Sequence, residues 1–228
     1  MEALVEDVVR RLPALRHVRT DRLLVTVSRA RRGGLSGTYA RIFPLRFEGG
    51  SSRTTRRVGA SLQTYEMPPL VHDGREVLYI ITFLLPRFQN LPFEAKIATV
   101  VHELYHVGEA CDGDIRRLPG KNFAHGHSRE AYDRKMTALA AEYLAAGGHE
   151  PLTGFLAESF RTLERRHGGV RGRRLSPPVP RLVATEPAPR PRRAPRPAQP
   201  PPALAPPPLG QLLLPFLTPA AGRRRAGT

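Results

Sequence analysis

Two stretches of the chain carry side chains able to do chemistry together. Residues 102–106 read HELYH, and residues 125–132 read HGHSREAY. On a helix, positions four apart are neighbours on one face, with Cβ atoms about 5–6 Å apart. His102 and His106 at that spacing can share one divalent cation, and neutral imidazole is a common ligand for zinc. Glu103 lies about 100° further round the helix than His102. A carboxylate there is turned aside from the histidine pair and can face a water held beside the metal, as a general base does. An ordinary solvated helix face also carries His, Glu and His, so the pattern gains chemical meaning only with a third ligand.

Catalytic zinc takes three protein ligands and leaves a fourth position open. Downstream of His106 the side chains that could complete the set are Asp112, His125, His127 and Glu130. Asp112 stands where the HExxHxxGxxH pattern has its third histidine, but position 109 is Glu109 and not glycine. Glu130 lacks the acidic surroundings of a second ligand helix. His125 and His127 remain, on either side of Gly126, which allows close backbone approach just ahead of a helix. An oxyanion would also need a hydrogen-bond donor, for which Tyr105, Tyr132, Arg116 and Arg117 are available and nothing in the sequence selects. Tyr105 falls towards the apolar side of its helix, a core position. Asp112 and Asp114, in a Cys-Asp-Gly-Asp turn, could orient a ligand histidine or simply form the turn. His17, His72, His149 and His167 lie far along the chain and receive no role.

These groups need a frame, and the hydropathy pattern supplies one. Projected on a helix, Ile97, Val100, Val101, Leu104 and Val107 gather on one side and His102, Glu103 and His106 on the other, predicting a helix from about 93 to 109. Residues 2–16 read as an amphipathic helix kinked near Pro13. Residues 22–28 and 38–47 read as strands, the second confined to a sheet edge by Pro44, with a basic glycine-rich connection between them. Residues 48–60, with Arg53, Arg56 and Arg57, read as a loop. A hairpin turning at Asp73-Gly74 follows, its second arm, Val77 to Leu85, being the most apolar stretch of the chain. Helices are expected over 130–146 and 152–166. The order is that of a small α+β domain.

Composition sets the outer limits. Of 24 prolines, 16 fall at or after Val170, where eleven arginines stand against the single acid Glu186. That balance of +10 leaves +6 of the total +16 for the remainder. Residues 1–169 are therefore expected to fold, and 170–228 to form a disordered Pro/Arg-rich tail. A basic arm attracts polyanions such as nucleic acid, although the scarcity of lysine (three residues) also fits a simple compositional bias towards arginine. Cys111 is the only cysteine, which excludes an intramolecular disulfide and a cysteine-rich zinc ribbon. The acidic, amphipathic start is unlike a signal peptide, and no apolar run approaches the ~20 residues of a membrane span. The expectation is a cytoplasmic protein with no membrane partner.

HELYH followed by AHGHSREAY resembles the SprT-like zinc metalloproteases and the phage metallopeptidases related to them. In those proteins the HExxH helix is joined by a histidine in an HG-x-x-F/Y context ahead of the next helix. The resemblance covers roughly residues 75–145, and the intervening CDGDIRRLPGKNF is closer to the phage type. It implies a zincin-like domain with a small, mostly antiparallel sheet packed on the HExxH helix. It further implies Zn2+ held by His102, His106 and His125, Glu103 as general base, and a protein or peptide substrate. The alternative from another class is a non-catalytic, metal-stabilised adaptor or nucleic-acid-associated protein with a basic Pro-rich arm; such a site has no use for Glu103. Hydrolysis of a non-peptide bond is a third reading.

Overall fold

Leu4, Val5, Val8, Val9 and Leu12 recur at the helical period and are all buried, so helix α1 (Glu2–Arg11) lays one stripe against the core. Pro13 cannot donate to the helical ladder; the helix stops before it, and a 3₁₀ turn, Pro13–Leu15, carries Leu15 inward. The helix expected over 2–16 is thus two pieces. The structure is a computed structural model describing residues 1–30, 37–120, 122–148, 150–170 and 175–189. Part of the 29–37 connection, Lys121, His149 and the chain from 190 onward, with its QLLLPFL segment, lie outside the described residues.

Helix α1 also buries an acid. Asp7 accepts hydrogen bonds from Arg10, from Arg11 at 2.9 and 3.0 Å, and from the Tyr143 hydroxyl at 2.9 Å. Burial alone would raise the Asp7 pKa, but the Arg10, Tyr143 and Arg11 donors outweigh it and hold the carboxyl down at about 2. The folded value lies below the ordinary 3.8, so the stabilisation is complete above pH 4 and is lost as pH falls towards 2. Asp7→Asn should cost about 2 kcal/mol at pH 7 and flatten the acid limb of a stability–pH curve between 4 and 2, as urea melts followed by circular dichroism would show.

Seven strands follow: β1 (Leu23–Arg29), β2 (Ala40–Pro44), β3 (Arg53–Val58), β4 (Ser61–Glu66), β5 (Leu70–His72), β6 (Arg75–Val77) and β7 (Tyr79–Leu85). The apolar strand β7 is central in a sheet ordered β1-β7-β2. Strand β1 runs parallel to it, Leu24 beside Ile80, and β2 antiparallel, Ile42 beside Ile81. The sheet is therefore mixed, where a mostly antiparallel one was expected. Alternation along β7 sends Tyr79, Ile81 and Phe83 into the main core with α1, and Ile80 into a second cluster with Leu24, Leu45 and Val77. The β5–β6 turn does sit at Asp73-Gly74, with φ of 49° and 72°. The hairpin's second arm, however, ends at Val77, and the chain leaves it to join the other sheet as β7.

The remaining elements are α2 (Phe93–Tyr105), α3 (Arg129–Ala145), α4 (Glu150–Ala157), α5 (Phe160–His167) and β8 (Arg181–Pro187). Helix α2 ends four residues short of the expectation, because at Gly108 the chain turns so tightly that an added Cβ would sit 2.7 Å from the Asp114 carbonyl oxygen. The single helix expected over 152–166 divides before Ser159, whose hydroxyl caps α5 by accepting from the Thr162 N–H at 3.2 Å.

Two expectations are corrected outright. The loop expected over 48–60 contains β3, paired antiparallel with β4, Thr55 hydrogen-bonded to Thr64 across the pair. The tail expected from Val170 onward contains β8, which pairs antiparallel with β4, so the first folded unit reaches Ala188. Both errors have one cause: the β3-β4-β8 sheet is largely exposed, so its strands need no apolar alternation to mark them. Among the described residues no helix is long and apolar enough to cross a membrane.

Candidate metal centre

Helix α2 anchors the site. Ile97, Val100, Val101 and Leu104 are fully buried on its core side. The opposite side is not the solvated face its composition suggests, since Glu103 and His106 are only 6% and 7% exposed. Strand β2, helix α3 and the segment leading into α3 cover it. Ser128 starts α3 by accepting a hydrogen bond from the Ala131 N–H at 3.2 Å, placing Tyr132 and Asp133 in the first turns.

The preceding segment is folded tightly on itself. The Leu118 N–H donates to the Phe123 carbonyl at 2.7 Å, and the His125 N–H to the Asn122 carbonyl at 3.1 Å. The Asn122 side chain in turn accepts from the Ala124 N–H at 3.0 Å. Gly120, at φ 130°, is where the two limbs touch: a Cβ there would lie 2.6 Å from the Gly126 backbone and 2.7 Å from the His127 nitrogen. This crossing, with Gly126 at φ 72°, turns His125 back towards α2.

The structure brings His102, His106 and His125 together, one ring nitrogen of each lying within 4.8 Å of the others. The His102 and His125 Nε2 atoms are 3.3 Å apart. Two nitrogens at Zn–N lengths of about 2.0–2.1 Å in a tetrahedral shell would stand about 3.3 Å from each other, the separation of His102 and His125. Burial, reinforced by His125, pushes His102 down to about 4, and burial with the neighbouring histidines pushes His106 down to about 3. Burial lowers His125 as well. All three imidazoles are thus neutral at pH 7, the state that donates a lone pair, and the donor set fits a divalent metal ion.

Glu103 lies outside that triangle. Burial raises its pKa to about 7 against the opposing pull of a hydrogen bond from the Ile42 backbone, which ties the carboxylate to β2. The phenol ring of Tyr132 completes the surroundings, its centroid 5.0 Å from His102, 5.6 Å from His106 and 4.9 Å from His125, and stacked on His106 at 16°.

Other candidates stand apart. His127 is exposed and outside the cluster, and Glu130 pairs with Arg134 at 2.6 Å. Asp112 accepts from the Asp114 N–H, while Asp114 serves Gly49 and Arg117, so neither is seen to orient a ligand histidine. The carboxylate that faces the histidine cluster is Asp133, 4.0 Å from His102 Nδ1. Sequence reasoning missed it, and missed the Ile42 contact, because both depend on elements far apart in the chain. Cys111 is buried and accepts from the Arg19 N–H at 3.3 Å. His17, given no role, is half-buried beside Arg116 at 3.1 Å.

A family model described as putative phage metallopeptidase matches residues 1–134, from α1 into α3, and so spans every residue of this site. No curated protein and no solved structure matches the chain.

Proposed function

This chain belongs to the phage metallopeptidase family, and on that premise we propose that it is a zinc-dependent hydrolase of peptide bonds, near the SprT-like proteases in its motifs. The observation that carries the reading is a cradle of three neutral imidazoles with a buried carboxylate beside it and outside it. His102, His106 and His125 would hold Zn2+, whose preference for few nitrogen ligands in a tetrahedral shell matches this donor set. Such an ion lowers the pKa of a coordinated water to about 7 and polarises a carbonyl. Glu103 takes the proton of the attacking water and passes it to the departing amine. Its link to Ile42 supports a substrate path as well. Strand β2 is an edge strand, and an extended peptide added beside it would pass next to Glu103.

Metal analysis of the purified full chain should find about one zinc, and digestion of labelled casein should stop on chelation and return with added zinc. Cleavage that persists after the metal has been stripped would overturn the reading.

A further inference from the structure

A hydrolysis of this kind develops negative charge on the former carbonyl oxygen, and a donor must meet it. Of the four side chains able to do so, three already make side-chain contacts elsewhere, although the buried Arg116 Nε shares with the Tyr132 hydroxyl the lack of a partner. The Tyr105 hydroxyl accepts from Lys135 Nζ at 2.5 Å, and its ring lies under the Arg116 guanidinium at 4.2 Å. Arg116 reaches Glu109 at 3.3 Å and His17 at 3.1 Å. Arg117 holds Asp114 at 3.2 and 3.3 Å and lies over the Phe123 ring.

Tyr132 differs. The residue is 5% exposed, and its hydroxyl is closed off from solvent without any hydrogen-bond partner. Burying a hydroxyl without a partner costs about 1–3 kcal/mol, a cost phenylalanine would avoid while packing the same ring. The ring touches all three histidines of the cradle, and Glu103 is the foremost charged neighbour acting on the hydroxyl. A phenol hydroxyl carries its proton at neutral pH and can donate it in a hydrogen bond.

We propose that Tyr132 is a catalytic residue whose hydroxyl donates a hydrogen bond to the scissile carbonyl oxygen as that oxygen gains negative charge. The phenol keeps its proton throughout; the hydroxyl stabilises charge and exchanges nothing. This role rests on the hydrolase reading above, but its test does not require a cleavable substrate.

The probe is acetohydroxamic acid, a small metal-directed oxyanion, titrated into zinc-loaded full-length wild type and Tyr132→Phe, with zinc affinity measured in parallel against a chromophoric chelator. Zinc affinity should stay within about threefold, and hydroxamate should bind about tenfold or more weakly to the variant, the loss of one hydrogen bond to a charged oxygen. On casein, kcat should fall about 10²-fold or more with KM little changed. Equal hydroxamate affinity in the two proteins would overturn the proposal. So would a fall in zinc affinity that accounts for the other losses, which would make Tyr132 a packing residue. Hydroxamate binding that depends on Tyr132, in a chain that cleaves no peptide, would sink the peptidase reading and leave the oxyanion donor standing.

Discussion

On the proposed zinc-hydrolase reading, Glu103→Gln should keep the metal and lose hydrolysis. Glutamine has the shape of glutamate and retains an oxygen to accept from the Ile42 backbone, so the contact between α2 and β2 survives. It carries no charge at a position where burial already penalises one, so the variant should be no less stable than wild type. What it cannot do is accept a proton. Loss of a positioned general base costs about 10²–10⁴-fold in rate, and the whole loss should fall on turnover. Metal content beside casein digestion checks both halves. A variant that cleaves at the wild-type rate places the base elsewhere, and one that emerges without zinc makes Glu103 a ligand.

The second large effect separates two histidines that stand two residues apart. His125→Ala should lose zinc, and His127→Ala should bind it as wild type does. His125 belongs to the group whose ring nitrogens lie within 4.8 Å of one another, and His127 is exposed outside it. Removing an outer partner of a ligand typically costs about 10–100-fold in metal affinity, and removing a ligand itself should exceed that. Competition against a chelator of known affinity reads the difference. Equal losses from the two variants would show that the segment binds by its overall shape, and a reversed order would move the third ligand to His127.

How much of this was legible beforehand depends on how local each feature is. The pairing of His102 with His106, and the turning aside of Glu103, follow from the helical period, and α2 presents them so. The choice between His125 and His127 did not follow, because it is made by Gly120 letting two limbs of backbone touch. The burial of Glu103 and His106 was also invisible. A helical projection knows the residues of one helix and nothing of what β2 and α3 lay over it. Asp133 and Tyr132 reach the histidines through packing between α2 and α3, which no spacing encodes. In the sheets, Asp73-Gly74 announced its turn through chemistry confined to two residues. The parallel register of β1 on β7 joins residues more than fifty positions apart, and no local pattern sets it.

The place where β8 joins the fold has a practical consequence. Composition invites shortening this chain at Val170, yet that cut would remove the partner of β4 and the Ala188 N–H that closes on the Ala60 carbonyl at 2.8 Å. The bared β4 would present a row of unsatisfied donors and acceptors, a template on which a neighbouring molecule can lay its own backbone. A fragment trimmed there should exchange strands and aggregate, whereas one ending beyond Ala188 should stay dispersed.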